Sequence, residues 1–242
     1  MNTRVAIVTG GSRGIGRAIA ERLAADGQAV AVVYATNRAE ADDTVRTITD
    51  KGGAAIAVQA DVADEAAVTA LFDTVEAEFG GVDVVVNSAG LMILGNVADF
   101  DLADLDRLHR TNIRGTFVVD QQAARRVRGG GAIVNLSTSV TRLALPTYAA
   151  YAASKGAVDA ISMILARELR GRDITVNAVA PGPTATALFL DGKDQETVDR
   201  MARANPMERL GMPDDIAEVV SFLAGPGRWV NGQTLYANGG VV

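Results

Sequence analysis

Tyr151 and Lys155 stand four residues apart in Tyr151-Ala152-Ala153-Ser154-Lys155, at the head of an apolar stretch that runs on through Ile161, Ile164, Leu165 and Leu169. Helical periodicity puts positions i and i+4 on one face, so the phenol and the ammonium project together. A nearby ammonium favours the phenolate, so the pair predicts a phenol pKa below the usual ~10 and a usable acid at neutral pH. The same spacing also occurs in ordinary surface pairs. A second chemical element lies near the N-terminus, in Thr9-Gly10-Gly11-Ser12-Arg13-Gly14-Ile15-Gly16. Glycines at a strand-to-helix turn let backbone N–H groups approach a pyrophosphate at the positive helix end. The spacing is G-x-x-x-G-x-G rather than the common G-x-G-x-x-G fingerprint, and a plain turn is the competing reading.

These residues need a frame. Val5 to Val8, Ala29 to Tyr34, Ala54 to Val58, Val82 to Val86, Ala132 to Leu136 and Ile174 to Val179 read as strands. They are continuous apolar runs, as in parallel strands covered on both faces. Amphipathic helices separate them: Ile15, Ile19 and Leu23 share one face, and Val68, Leu71, Phe72, Val75 and Phe79 share another. Asp61 to Asp64 offers a cap before the second of these, while Gly27, Gly52-Gly53, Gly80-Gly81 and Gly129 to Gly131 are expected as C-terminal caps. The rhythm predicts a Rossmann-type, doubly wound α/β fold of about seven parallel strands with helices on both faces. Residues 1–242 are expected to form a single dinucleotide-binding and catalytic domain. The irregular segment 182–206 is expected as a substrate lid or a loosely helical insert.

Cofactor choice follows from the end of the second strand, where an NAD site usually carries an acid. Here that position is Tyr34, followed by Ala35-Thr36-Asn37-Arg38, with no acid before Glu40. Arg13 and Arg38 have the geometry to pair with a 2′-phosphate, unless both are simply solvated. NADP(H) is therefore favoured over NAD(H).

Composition narrows the chemistry further. The 242 residues include 23 Lys and Arg, 29 Asp and Glu, no Cys and one His, for a net charge of −6. A disulfide framework, a thiolate nucleophile, a Cys-ligated zinc and a His-rich metal site are excluded. A carboxylate-held Mg²⁺ is compatible with composition, but no acidic cluster lies near the motifs, and no metal is expected. The mild acidity argues against nucleic acid as a partner. The run Val5 to Val8 is too short for a signal-peptide core, and no stretch approaches the ~18–20 apolar residues of a membrane span. A cytoplasmic protein without a membrane partner is the expectation.

In order along the chain come the glycine turn, Asp61-Val62, Asn87-Ser88-Ala89-Gly90, Asn112, Ser137-Thr138-Ser139, Tyr151/Lys155, Pro181-Gly182, Arg209-Leu210-Gly211-Met212-Pro213 and Gly239-Gly240. This ordered set resembles the short-chain dehydrogenase/reductase family over nearly the whole chain, including members similar to 3-oxoacyl-carrier-protein reductases. The resemblance implies that Gly10, Ser12, Arg13, Gly14, Ile15, Gly16, Tyr34, Asn37 and Arg38 face the cofactor. Asp61 and Val62 would flank the adenine, and Asn87, Ala89 and Gly90 would line the cofactor's centre. Pro181, Gly182, Thr184 and Thr186 would border the nicotinamide. It further implies Tyr151 as the acid, Lys155 as the ribose ligand and Asn112 as the anchor of a water leading to Lys155. The family's catalytic serine lies 13 residues before the tyrosine, which is Thr138 here. Ser137 and Ser139 are alternates, although in a regular strand they face away from Thr138.

The expected activity is NADPH-dependent reduction of a ketone or 3-oxoacyl group by hydride transfer, with a tyrosine proton donor. A sugar or secondary-alcohol dehydrogenase of the same family is the alternative, and a non-catalytic NADPH-binding regulator is the alternative of another class. The substrate is expected to be a small carbonyl compound or alcohol. The resemblance also implies a homotetramer. An acyl carrier protein is a weaker partner, resting on Arg125, Arg126, Arg128, Arg167, Arg170 and Arg172 as a docking surface. His109 is three residues before Asn112 and on that spacing shares its helix face; a half-exposed helical histidine is the plainer reading. Tyr148, Leu91 to Leu94, Leu143, Leu145 and Leu188 to Leu190 are candidates for an apolar substrate wall.

Overall fold

A computed structural model describes residues 3–242. Its strands are β1 (Val5–Thr9), β2 (Ala29–Tyr34), β3 (Ala55–Gln59), β4 (Val82–Asn87), β5 (Val127–Leu136), β6 (Thr175–Pro181) and β7 (Thr234–Ala237). They form one sheet in the order β3-β2-β1-β4-β5-β6-β7, with every pairing parallel. β1, β2, β4 and β6 are buried along their whole length. That burial explains why they read as unbroken apolar runs instead of alternating ones.

Helices cover both faces. α1 (Gly14–Ala25), α2 (Arg38–Asp50) and α10 (Pro213–Ala224) lie on one, and α3 (Glu65–Phe79), α5 (Thr116–Arg126) and α7 (Ala149–Glu168) on the other. Strand alternation feeds the two cores: Val5 and Ile7 pack with Leu71, Phe72 and Val119, while Ala6 and Val8 pack with Ile19, Leu23 and Ile216. Asp64 caps α3 as expected, accepting from the N–H groups of Ala66 at 2.8 Å and Ala67 at 3.0 Å.

The glycines at 129–131 are not a helix cap. α5 ends at Arg126, and Val127 is already extended and buried in the core. The glycines lie within β5, where its register against β4 shifts between Val82 and Val84. A side chain at Gly131 would come within 2.5 Å of the Asp83 carbonyl oxygen, so the residue permits close approach of two backbones at a bulge. About half of segment 182–206 is helical, in α8 (Ala187–Leu190) and α9 (Gln195–Arg203). Thr186 and Asp194 cap them by accepting from Phe189 N at 3.2 Å and Thr197 N at 2.7 Å.

α4 (Leu102–His109) runs into α5 through a π-helical turn, Arg110–Gly115. A wider turn changes the angle between residues three apart, so the face shared at 3.6-residue spacing does not carry over unchanged to His109 and Asn112. Asn112 is fully buried and His109 half-buried, and neither lines the cleft described below. No described helix is long and apolar enough to cross a membrane.

Candidate active site

The strand order reverses between β1 and β4, and the loops leaving their C-terminal ends part there. A cleft of about 660 Å³ opens at this edge, lined from the glycine turn to α8. On one side, α1 begins with no acidic residue in its first turn and no side chain capping its N–H groups. The turn before it is tightly closed. A Cβ at Gly16 would lie 2.2 Å from the Gly10 carbonyl oxygen, and one at Gly10 would lie 2.9 Å from the Ala89 backbone. Thr9 Oγ1 holds the opposing loop by accepting from the N–H groups of Ser88 and Ala89, both at 3.1 Å. Free helix-end donors and two backbones in close contact fit a dinucleotide pyrophosphate.

Ser12, Arg13, Ile15, Tyr34, Asn37, Asp61, Val62 and Gly90 line this half, as the sequence reading expects. Arg38 does not. It is the first residue of α2, its side chain is 76% exposed, and it pairs with Asp42 at 3.3 Å one turn on. Arg13 is thus the one of the two arginines that lines the cleft. Asn87 also departs from expectation. Its carboxamide turns into the protein, donating to Asp120 Oδ1 and to Asn135 Oδ1 at 2.8 Å each. Asn135 donates in turn to Asp120 Oδ2 and Ser162 Oγ, both at 2.9 Å. Burial pushes the Asp120 carboxyl up to about 7, opposed by the two carboxamides. Sequence reasoning missed Asp120 and Asn135; the one available signal was Asn135 inside the apolar run Ala132 to Leu136.

On the other side of the cleft, α7 presents Tyr151 and Lys155, and the end of β5 presents Ser137, Thr138 and Ser139. Lys155 Nζ donates to the Leu136 carbonyl oxygen at 2.6 Å. The expected low phenol pKa is not what this arrangement produces. Burial pushes Tyr151 up to about 12, against the pull of the Thr138 hydroxyl beside it. Burial also brings Lys155 down to about 8, opposed by the Asp159 carboxylate one turn along α7. In both groups the charged form loses water, and that loss is the largest cause of the shift.

The three hydroxyls near Tyr151 differ in their commitments. Ser139 Oγ donates to the Ala180 carbonyl oxygen at 3.1 Å and accepts from Asn238 Nδ2 at 3.0 Å. Ser137 lies beside Asp159, and Thr138 lies beside the phenol. Asn112 sits behind Gly90: it donates to the Leu91 carbonyl oxygen at 2.9 Å and Ser154 Oγ at 3.0 Å, and accepts from Leu91 N at 3.0 Å. A Cβ at Gly90 would meet Asn112 Oδ1 at 3.2 Å and Lys155 Nζ at 3.6 Å, so both polar groups converge on that backbone.

Pro181, Gly182, Thr184 and Thr186 line the cleft beyond β6, and Leu91, Met92, Leu143, Leu145, Tyr148, Leu188 and Phe189 form its apolar wall. Ile93, Leu94 and Leu190 are not part of that wall. The arginines proposed for carrier docking lie at the opposite edge of the sheet, at the start of β5 and the end of α7. Pairing of β5 with Val82 to Asn87 of β4, across the bulge, places them roughly 20 Å from the cleft. Arg126 pairs with Asp73 and Arg128 with Asp83, so these two are engaged locally.

Comparison with known proteins gives one answer. Residues 10–242 match the family model described as Enoyl-(Acyl carrier protein) reductase. The chain is 44% identical to a short-chain type dehydrogenase/reductase of Picea abies, covering 99% of this chain and 92% of that one. It is 44% identical to an NADPH-dependent aldehyde reductase-like protein of Arabidopsis thaliana, covering 99% and 94%. The crystal structure of a short chain dehydrogenase from Burkholderia cenocepacia in complex with NADP superposes with a TM-score of 0.92 at 41% identity, covering 100% of this chain and 98% of that one. With that coverage, the glycine turn and the Tyr151/Lys155 helix are parts of one inherited design: the chain belongs to the short-chain dehydrogenase/reductase family of oxidoreductases.

Proposed function

We propose that this protein reduces a carbonyl compound to an alcohol with NADPH, using Tyr151 as the proton donor. One observation carries the reading: Tyr151, Lys155 and Thr138 meet at the C-terminal edge of the sheet, in the same cleft as the Gly10–Gly16 turn. The named cofactor of the Burkholderia relative and the named activity of the Arabidopsis one support the choice of NADPH and of a carbonyl. Arg13 in the glycine turn, with no acid between Tyr34 and Glu40 at the end of β2, supports a 2′-phosphate over a free ribose hydroxyl.

The residues divide the work. Thr138 donates a hydrogen bond to the carbonyl oxygen and holds it at the phenol. NADPH, when bound, supplies the hydride to the carbonyl carbon. Tyr151 then gives its proton to the oxygen as negative charge develops there. Lys155 ties down the ribose and stabilises the phenolate that remains, which takes its next proton from solvent. Asn112 fixes Leu91 to α7 and stands where a water would lead to Lys155. Ketone, NADPH and one proton give alcohol and NADP⁺.

Segment 182–206 is the lid in this reading, since α8 contributes Leu188 and Phe189 to the cleft and α9 contributes Met201. Residues 1–242 act as one catalytic unit and assemble as a homotetramer. Phe117 on α5 and Met163 and Ile164 on α7, all exposed apolar side chains, support that assembly. A solution mass of about 100 kDa, four times 25.1 kDa, is expected. The activity is tested by following NADPH oxidation over a panel of ketones and aldehydes. Alcohol formed one-for-one with NADPH consumed is the expected result; no turnover across the panel, with NADPH bound, overturns the reading.

A further inference from the structure

The charged side chains of the cleft are unequally shared. Arg13, Glu40 and Asp61 line the half that leaves β1, β2 and β3, and Arg107 at the end of α4 and Arg110 in the π-helical turn join it through the Arg110–Asp61 bridge at 2.8 Å. Beyond Tyr151 and Lys155, the wall turns apolar, with Met92, Val140, Leu143, Tyr148, Leu188 and Phe189. Among the described residues, no Arg, Lys, Asp or Glu lines that part.

A second hollow of about 330 Å³ adjoins the apolar half, sharing Val140, Leu145 and Tyr148 with it. Its outer walls are Val97, Pro146 and Ala149, and no charged residue lines it. Tyr148 caps α7 and is 8% exposed. It precedes Tyr151 by three residues, about 5 Å along the helix, so the shared wall is one turn from the proton donor. The loop between is held in an unusual shape. Ala144 at φ 50° and Thr147 at φ 71° are both left-handed without being glycine. Gly95 N donates to the Thr147 carbonyl oxygen at 2.9 Å, pinning this loop to the one that carries Val97. Strain of that kind persists where surrounding structure imposes it, and ligand walls are a frequent setting.

We propose that the substrate is an uncharged, elongated carbonyl compound: its carbonyl sits at Tyr151, and its apolar remainder passes Tyr148 into the hollow walled by Val97, Pro146 and Ala149. The proposal rests on the carbonyl-reductase reading above and adds the substrate's class and direction. Each methylene that leaves water multiplies kcat/KM by about fourfold. A carboxylate at the far end would face apolar walls with no cation among the residues lining them.

The test compares 2-butanone, 2-heptanone, 2-decanone and 9-oxodecanoate with NADPH, in the wild-type enzyme and in Val97→Asp and Ala149→Leu. Both positions are exposed and outside the catalytic set, so folding is preserved. In the wild type, kcat/KM is expected to climb steeply from 2-butanone to 2-decanone and to fall at least about tenfold for 9-oxodecanoate. Each variant is expected to lower kcat/KM for 2-decanone about tenfold, with 2-butanone turnover and NADPH affinity unchanged. A flat chain-length series, equal rates for the carboxylate, or variants that slow every ketone alike overturn the proposal. Absence of turnover on all of the ketones overturns the reductase reading beneath it as well, an outcome distinct from a flat series.

Discussion

The two halves of the cleft are built by different means. The half beyond β1 to β3 is made of backbone, glycines and free helix-end N–H groups, with five charged side chains around it. The half beyond β5 and β6 is made of side chains: one phenol, one ammonium, one threonine hydroxyl, and an apolar wall from three separate segments. Backbone donors hold a phosphate whatever the rest of the ligand is, so the first half specifies a cofactor. Side-chain packing discriminates shape and polarity, so the second half specifies a reaction and its substrate. The family shares the first solution widely because little in it depends on the substrate.

The comparison breaks if the halves fail together, and the largest effect comes from filling the backbone contact. Gly16→Val forces side-chain carbons against the Gly10 carbonyl oxygen, which a Cβ alone would approach to 2.2 Å. NADPH affinity should drop about hundredfold or more, measured by fluorescence titration, while the substrate half keeps its structure. Thr138→Ala should lower kcat/KM about tenfold to hundredfold with NADPH affinity unchanged. Thr138→Ser should restore most of it, whereas Ser139→Ala should do little, because Ser139 is spent on Ala180 and Asn238. Arg13→Ala should weaken NADPH about tenfold and leave NADH unaffected; Arg38→Ala, already paired with Asp42, should change neither.

Two smaller effects depend on pH. Lys155 is a cation below about 8 and neutral above it, so carbonyl reduction should decline as pH rises past about 8. Asp120 acts on stability instead. The folded chain keeps its proton up to about 7, whereas the unfolded chain releases it near ~3.9. Unfolding between those values therefore releases a proton, and stability falls as pH climbs from ~4 towards 7. The urea midpoint should show that slope in the wild type and lose it in Asp120→Asn.

How far the sequence was readable follows the same division. The glycine turn, the buried strands and Tyr151/Lys155 are local patterns, and a contiguous pattern survives folding. What escaped was assembled from distant segments. The Asn87–Asp120–Asn135–Ser162 network joins two strands and two helices, and no one of these residues announces its partners. The π-helical turn adds a residue to one helical turn, which no 3.6-residue periodicity foretells, so the face shared at that spacing does not carry over unchanged to His109 and Asn112. Arg38 was placed correctly along the chain, but its direction depended on where α2 starts. The phenol pKa failed for a further reason: spacing records a neighbouring charge and is silent about lost water.

The central claim is that cofactor capture and proton donation are separately built. Tyr151→Phe tests it most directly, with NADPH affinity and single-turnover carbonyl reduction measured on the same sample. The account predicts that NADPH binds within about threefold of wild type while reduction slows by about 10²–10⁴-fold. Reduction at an undiminished rate, or NADPH affinity lost in step with it, would contradict the account.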